Sequence, residues 1–180
     1  MDSSGTKLRR LRDEEADYRL LTMWCRQESV YRYFEQRILS GEEIRRKYYP
    51  RTLDAAAVPV WMIEHEGIPV GIIQCRKISE EDAALYGVPS ENGYEIDLFI
   101  GNEDCRGRGV GQAAVRLLSV MLFEEKKAGF LVMCPLKENI RAVRCYRKCG
   151  FSEKGSYTAP DTIGVLQEFI CMVCDGRECR

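Results

Sequence analysis

Hydrophobic residues recur along the chain with two different periods, and these periods predict the order of its strands and helices. Alternating runs rich in aromatic and β-branched residues predict strands, whereas apolar positions three or four residues apart predict helices. Strands are expected at 7–12, 58–64, 70–76, 93–101, 129–134, 151–157 and 165–174. Helices are expected from 13 to 24 and on to 34, at 42–48, where Pro50 ends the element, at 110–126 and at 139–148. This order indicates one domain, residues 1–180, of the α/β (α+β) class, with a mixed, mostly antiparallel sheet of about six to seven strands flanked by helices.

The turn between the fourth predicted strand and the long helix is crowded with glycine and arginine, in the sequence Arg106-Gly-Arg-Gly-Val-Gly111. Glycine has no Cβ, so its backbone N–H groups can turn toward a ligand, and a helix N-terminus adds a partial positive charge. The turn therefore predicts a site for an anionic ligand. The alternative for this turn alone is a glycine-rich connection with solvated arginines.

Two common nucleotide-binding loops are excluded by the spacing of this turn. A Rossmann fingerprint needs G-x-G-x-x-G, but Gln112 stands where the third glycine would fall. A Walker A loop ends in G-K-[ST], but Gly111 is followed by Gln112 and Ala113. The remaining pattern, [Arg/Gln]-x-x-Gly-x-[Gly/Ala], is filled by Arg106, Gly109 and Gly111, and it resembles the pyrophosphate loop of the GNAT superfamily of N-acetyltransferases.

A second segment, residues 138–151, resembles the GNAT sequence N-x-x-[AS]-x-x-x-Y-x-[KR]-x-G-F, which is filled here by Asn139, Ala142, Tyr146, Lys148, Gly150 and Phe151. Two independent motifs in the right order make chance agreement improbable. The resemblance implies the GNAT fold with acetyl-CoA (CoA) as cofactor. It also implies a set of cofactor-binding residues: Phe99, Ile100, Gly101, Arg106, Gly107, Arg108, Gly109, Val110, Gly111, Gln112, Asn139, Ala142 and Tyr146.

The chain resembles the aminoglycoside 6'-N-acetyltransferases in particular, over nearly its whole length. The strand at 94–101, the helix that carries Trp24 and the hairpin at 68–71 look like theirs. In that family the aspartate that matches Asp97 contacts the substrate amine as a base or an orienting carboxylate. The family usually has Asp-Pro at the end of the fifth strand, where this chain has Cys134-Pro135. That departure leaves the antibiotic substrate open.

The resemblance implies catalytic roles for Asp97 and Tyr146. An alkylammonium group has a pKa near ~10.4 and cannot attack while protonated, so a carboxylate that takes its proton is useful. Asp97 is the candidate, with a strand aspartate that caps a turn as the alternative. Tyr146 is placed by the resemblance to give a proton to the CoA thiolate. Backbone N–H groups around 99–101 are expected to polarise the thioester carbonyl.

Charge gives a substrate clue that is independent of the resemblance. Between Lys77 and Arg106 the chain has no basic residue, whereas it has Glu80, Glu81, Asp82, Glu91, Glu95, Asp97, Glu103 and Asp104. This stretch predicts either a negative field that attracts a cationic amine or a solvated acidic insertion loop. The formal net charge of −1 gives no field for nucleic acid.

Targeting and cysteine signals favour a cytoplasmic protein with no membrane segment. The N-terminus lacks an apolar core, and no apolar stretch is long enough to span a bilayer. Nine cysteines without a secretion signal indicate a reducing compartment, so disulfides are not expected. The C-x-x-C sequence at 171–174 has no second pair, and His65 is the single histidine, so no metal site is predicted.

The leading hypothesis is an acetyl-CoA-dependent N-acetyltransferase that acts on a primary amine of a cationic small molecule by direct attack on the thioester. An aminoglycoside 6'-amine, and with it antibiotic resistance, is one candidate. The alternatives are acetylation of a protein N-terminus or lysine, and a catalytically silent CoA-binding module. The oligomeric state is left open between monomer and homodimer.

Overall fold

The computed structural model describes residues 5–161 and 163–176. Seven strands are present: β1 (Thr6–Arg10), β2 (Val60–His65), β3 (Ile68–Lys77), β4 (Gly93–Ile100), β5 (Phe130–Met133), β6 (Ser152–Pro160) and β7 (Leu166–Cys174). The helices are α1 (Glu15–Trp24), α2 (Glu28–Tyr31), α3 (Gly41–Thr52), α4 (Glu80–Tyr86), α5 (Val110–Glu124) and α6 (Ile140–Arg147), with a short 3₁₀ turn at Glu103–Cys105. Among the described residues, every helix is too short or too polar to cross a bilayer.

All seven strands join one sheet in the order β1-β2-β3-β4-β5-β7-β6. Every neighbouring pair is antiparallel except β4 and β5, which are parallel. The predicted mixed, mostly antiparallel sheet is therefore confirmed. The parallel pairing is short, because the register of β4 on β5 ends at Glu95 opposite Val132. Residues 96–100 continue β4 without a β5 partner, and the sheet opens there.

Apolar side chains cover both faces of the sheet. On one face, α5 and α6 pack on a core that includes Ile73, Ile96 and Leu118. On the other face, α1 and α3 bury Trp24 and Tyr48 against β2, β3 and β4. Alternate residues at the end of β4 point into one core or the other. The opening beside this strand end therefore lies between the two cores.

Three elements differ from the sequence prediction. The helix predicted from 13 to 34 is two helices, separated at Cys25–Gln27. The helix predicted to end before Pro50 continues to Thr52 with Pro50 inside it. Its start is fixed by a capping box of Ser40 and Glu43, and its end is held by Arg51, whose guanidinium donates to the side chain of Gln74 at 2.5 Å. Pro50 lies in the last turn of α3, where few backbone hydrogen bonds remain for its missing N–H to remove.

The third difference is α4, a helix that the sequence analysis did not predict; a solvated acidic insertion loop was one of its two interpretations of this stretch. Ser79 caps this helix in a capping box with Asp82, and Gly87 ends it in the left-handed conformation at φ 66°. Two of its own side chains, Ala83 and Tyr86, are buried. The loop alternative is therefore wrong for 80–86, because local capping and two buried side chains make the segment helical.

The cysteines also depart from expectation. Cys174 is disulfide-bonded, so the expectation of no disulfide is wrong. Cys171 is a free thiol, and it lies in a different core cluster from Cys174. Residues three apart in a strand face opposite sides of the sheet, so these two sulfurs cannot share a ligand. Among the described residues, no group of three or more His, Cys, Asp or Glu is arranged to hold a metal ion.

Candidate active site

A cleft of about 550 Å³ fills the opening between β4 and β5. Its walls are the end of β4, the glycine loop before α5, one face of α6 and residues 29–34. Asp97, Phe99 and Ile100 of β4 line it, as do Arg106, Gly107, Gly109, Gly111, Gln112, Asn139, Ala142 and Tyr146. The fold thus brings both sequence motifs and the candidate base to one site.

The glycine loop forms an open cradle of main-chain donors. Gly107 and Gly109 have φ values of 73° and 86°, and a Cβ built on either would meet no atom within 4 Å. Gly109 is the N-cap of α5 and provides no side-chain cap, so the first N–H groups of the helix are left for a ligand or water. A bare helix N-terminus with no side chain in front of it fits the diphosphate that the sequence motif implies.

Arg106 lies in the cleft wall, but its guanidinium is already engaged within the protein. Its Nε donates to the carbonyl of Ile100 at 2.8 Å, and its two terminal nitrogens donate to Ser29 and Gln27, both at 2.7 Å. It also pairs with Glu103 at 2.9 Å. Arg106 therefore fixes the loop to β4 and to the 27–29 segment, and its side chain offers no free donor toward a diphosphate.

Three of the predicted cofactor-binding residues do not line the cleft. Gly101 is buried against Trp24, and a Cβ there would lie 2.1 Å from the Trp24 ring. Val110 is the first residue of α5 and its side chain is fully buried, so only its backbone N–H is available to a ligand. Arg108 is exposed beside the cleft.

The expected thioester-polarising N–H groups are partly used by the sheet. The N–H of Gly101 donates to the carbonyl of Val70 at 2.8 Å. Successive N–H groups of a strand point to opposite edges, so Phe99 also faces β3, whereas Ile100 faces the edge that β5 has left. The N–H groups of Phe99 and Gly101 are bonded to β3, so the expectation that they polarise the thioester is wrong. For the N–H of Ile100 it remains a prediction.

Asp97 lies half-buried on the cleft and is oriented by its neighbour across the sheet. Gln74 donates to its Oδ2 at 3.4 Å, and Gln74 in turn accepts from Arg51. Burial raises the pKa of Asp97, while the Gln74 hydrogen bond and the charges of Arg76, Lys47 and Arg51 oppose the shift. A carboxylate with a raised pKa is a stronger proton acceptor, which suits a base. Its recorded partner is a cross-strand side chain, which does not support the turn-capping alternative.

Glu95 lies two residues before Asp97 on the same face of β4 and is buried. Its carboxylate contacts the guanidinium of Arg76 and accepts from the hydroxyl of Tyr86 at 3.2 Å. Burial, and then the charge of Asp97, raise the pKa of Glu95 to about 8 despite the opposing charge of Arg76. Arg76 also contacts Asp82 of α4. Much of the acidic stretch is thus paired internally, and of its acids only Asp97 lines the cleft.

Tyr146 lines the cleft from α6 with 8% of its surface exposed. Burial raises its pKa well above the usual 10.0, so the phenol keeps its proton. Asn139 caps α6 by accepting from the N–H of Ala142 at 3.2 Å. Its amide NH₂ has no recorded partner among the described residues, and it borders the cleft.

Two groups of cleft residues were missed by the sequence analysis. Residues 29–34 form a wall in which Phe34 packs edge-on against Phe99, with ring centroids 4.9 Å apart. Arg32, which belongs to this segment, pairs at 3.2 Å with Glu138, which lines the cleft. No local sequence signal predicts contacts over such separations. The cations Arg141, Arg144 and Lys148 also line the cleft, and their spacing on one helix face was a readable signal.

The chain matches the model of the acetyltransferase (GNAT) domain over residues 13–159. An aminoglycoside N(6')-acetyltransferase type 1 from Klebsiella pneumoniae is 26% identical over 150 residues, which cover 82% of this chain and 75% of that protein. The structure of aminoglycoside acetyltransferase AAC(6')-Ib with coenzyme A has a TM-score of 0.74 at 24% identity and covers 94% of both chains. A spermidine N-acetyltransferase from Vibrio cholerae, solved with CoA and spermine, has a TM-score of 0.78 at 20% identity and covers 97% of this chain and 98% of that one.

The two solved structures establish the likeness of fold, and the family model spans most of the chain, including both motifs and Asp97. The chain therefore belongs to the GNAT family of acetyl-CoA-dependent N-acetyltransferases.

Proposed function

We propose that this acetyltransferase acts on a primary amine of a cationic small molecule, with an aminoglycoside 6'-amine as the first candidate. The observation that carries the proposal is the position of Asp97, a half-buried carboxylate at the point where β4 leaves β5. A carboxylate at this point both attracts an ammonium group and takes its proton. The relative from Klebsiella pneumoniae, named for acetylation at the 6'-nitrogen, supports the choice of acceptor.

The donor is held by the wall opposite Asp97. The main-chain donors of the glycine loop would hold its diphosphate, and the amide of Asn139, which lines the same cleft, would donate to another part of CoA. Acetyl-CoA, when bound, supplies an acetyl thioester that an unprotonated amine attacks directly. Its place among these residues is supported by the open cradle at Gly107 and Gly109.

The chemistry of the chain's own residues is a pair of proton movements. Asp97 takes a proton from the acceptor ammonium, and its raised pKa favours that transfer. Tyr146 keeps its phenol proton at neutral pH and would give it to the departing thiolate. The nitrogen loses its second proton as the amide forms, and that proton would restore the phenol. The N–H of Ile100 polarises the thioester carbonyl. No covalent acyl-enzyme is required.

The acceptor class is tested by thiol release from acetyl-CoA in the presence of single amines. The panel contains an aminoglycoside with a 6'-amine, a matched aminoglycoside with a 6'-hydroxyl, a polyamine and a peptide with a free N-terminus. Turnover with the 6'-amine and none with the 6'-hydroxyl is the expected result. Turnover with the peptide alone would move the protein to the class of protein acetyltransferases.

The cofactor is tested separately by thermal unfolding, since a ligand that binds only the folded state raises the Tm. Acetyl-CoA at saturation is expected to raise the Tm by several degrees. A raised Tm together with no thiol release from any amine would overturn the catalytic proposal and indicate a silent CoA-binding module. An unchanged Tm would overturn the cofactor assignment itself.

A further inference from the structure

A row of three cations runs along the face of α6 that borders the cleft. Arg141, Arg144 and Lys148 all line the cleft and are exposed. Their separations of three and four residues place them on one face of the helix, one above the other. The row is therefore continuous along the cleft wall.

The row stands beside the glycine cradle, because the C-terminal half of α6 packs against the first turns of α5. A Cβ built on Gly111 would lie 3.8 Å from the sulfur of Cys145. The thiol of Cys149 donates to the carbonyl of Gln112 at 3.8 Å, and Arg116 donates to the carbonyl of Lys148 at 3.0 Å. Long side chains at 144 and 148 thus reach the space next to the cradle.

None of the three cations has an acidic partner among the described residues. The fourth cation of the helix, Arg147, contacts Glu153 and does not line the cleft. Three like charges on successive turns repel one another, and no carboxylate of the described chain relieves the repulsion. In a protein with a net charge of −1, this local excess of positive charge points to an anion in the cleft.

The cradle and the row suit different anions. The cradle provides main-chain N–H groups, which match the singly charged oxygens of a diphosphate held against a helix N-terminus. The row provides guanidinium and ammonium groups, which match a terminal phosphate with about two negative charges. CoA carries both groups: a diphosphate, and a phosphate on the 3'-oxygen of its ribose.

We propose that Arg141, Arg144 and Lys148 bind the 3'-phosphate of CoA, so that the protein distinguishes acetyl-CoA from its 3'-dephospho form. This inference rests on the cofactor of the proposed function and adds a binding subsite for one of its groups. It concerns affinity for the donor and is independent of the acceptor amine.

The test measures binding by calorimetry, with no turnover required. CoA and 3'-dephospho-CoA are titrated into the wild-type protein, the triple variant R141Q/R144Q/K148Q and the matched control R147Q, which removes a cation from the same helix outside the cleft. Charge-assisted hydrogen bonds predict that wild type and R147Q bind CoA about 10- to 100-fold more tightly than dephospho-CoA. The triple variant is expected to bind the two nucleotides equally, with its affinity for dephospho-CoA close to that of wild type.

Two results would overturn the subsite. One is equal affinity of the wild-type protein for the two nucleotides. The other is a triple variant that loses the same factor toward both, which would assign the row to the diphosphate. If the wild-type protein binds neither nucleotide, the cofactor assignment fails as well. The apo Tm of each variant, compared with wild type, checks that the proteins are folded.

Discussion

The two walls of the cleft are built from different parts of the polypeptide. On the donor wall, glycines with positive φ and an uncapped helix present main-chain N–H groups. On the wall proposed to bind the acceptor, Asp97 belongs to a network of side chains that spans β3, α3 and α4 and includes the buried Glu95 behind the cleft. The difference teaches that the donor site is specified by backbone conformation, whereas the acceptor site is specified by long-range contacts among side chains.

Asp97→Asn is expected to give the largest effect, because it removes the proposed base from the acceptor wall. General bases contribute about 10²- to 10⁴-fold, so kcat should fall by at least about 100-fold. Affinity for acetyl-CoA should stay within about twofold, since the donor wall is untouched. Thiol release and calorimetry measure the two quantities, and Asp54→Asn, in the exposed turn that follows α3, serves as the control. Unchanged kcat would remove Asp97 from the mechanism.

Gly109→Ala tests the donor wall with a matched control on the same backbone geometry. Gly109 and Gly164 both have φ 86° and open space around a new Cβ. A left-handed alanine costs about 1–2 kcal/mol, so both variants should lower the free energy of unfolding by a similar amount. Only Gly109→Ala shifts the N–H groups of the cradle, and it should weaken acetyl-CoA binding about tenfold. Equal affinities in the two variants would argue against a main-chain cradle.

Glu95→Gln tests whether the buried network tunes Asp97. The groups that face Glu95 are Arg76 of β3, Asp82 and Tyr86 of α4, Asp97 of its own strand and Cys134 beyond β5. Because the pKa of Glu95 is about 8, this carboxyl is mostly protonated at lower pH, and Glu95→Gln removes no charge there. The rising limb of the pH–rate profile below pH 8 should therefore stay in place. Glu91→Gln, an exposed acid before β4, is the control. A rising limb that moves to lower pH would mean that Glu95 is ionised and raises the pKa of Asp97.

The same variant has a stability signature whose sign follows from linkage. The pKa of Glu95 rises from the usual 4.5 to about 8 on folding, so the native state holds a proton that the unfolded chain releases. This contribution is complete below about pH 4.5 and is lost as the pH rises through 8. The wild-type Tm should therefore fall between these values, and Glu95→Gln should flatten that fall. Thermal unfolding across this pH range measures it.

Glu138→Gln should give the smallest effect, although it breaks an ion pair at the edge of the cleft. Both side chains of the Arg32–Glu138 pair are about half exposed, at 52% and 54%, and such pairs contribute little. The KM for either substrate should change less than about threefold, and the change should shrink as salt is added. A larger, salt-independent change would mean that Glu138 contacts a substrate.

The donor wall could be predicted from the sequence because its determinants are local. The glycines act through their own φ angles, and the Asn139 cap acts on a residue three positions away. The spacing of Arg106, Gly109 and Gly111 was sufficient to exclude two other phosphate loops. The side chain of Arg106 was not predictable in this way. The motif indicated a ligand contact, but the guanidinium is bonded within the protein to partners as distant in sequence as Gln27.

The acceptor wall could be predicted only in part, because its contacts join distant segments. Asp97 was found through its motif, but the bridge from Arg51 through Gln74 spans α3, β3 and β4. Arg76 of β3 contacts both Asp82 of α4 and Glu95 of β4, so this network joins three separate elements. The capping box at Ser79 and the glycine at 87 were local signals for α4, and the density of acidic residues obscured them.

A cradle made of main-chain N–H groups has an evolutionary consequence. Every residue type except proline carries the same N–H, so most substitutions in the first turn of α5 leave the donor atoms in place as long as the glycine at its cap is kept. The side chains across the cleft have no such protection and can be exchanged. Proteins with this fold can therefore change their acceptor by substitution of side chains and still bind the same acetyl donor.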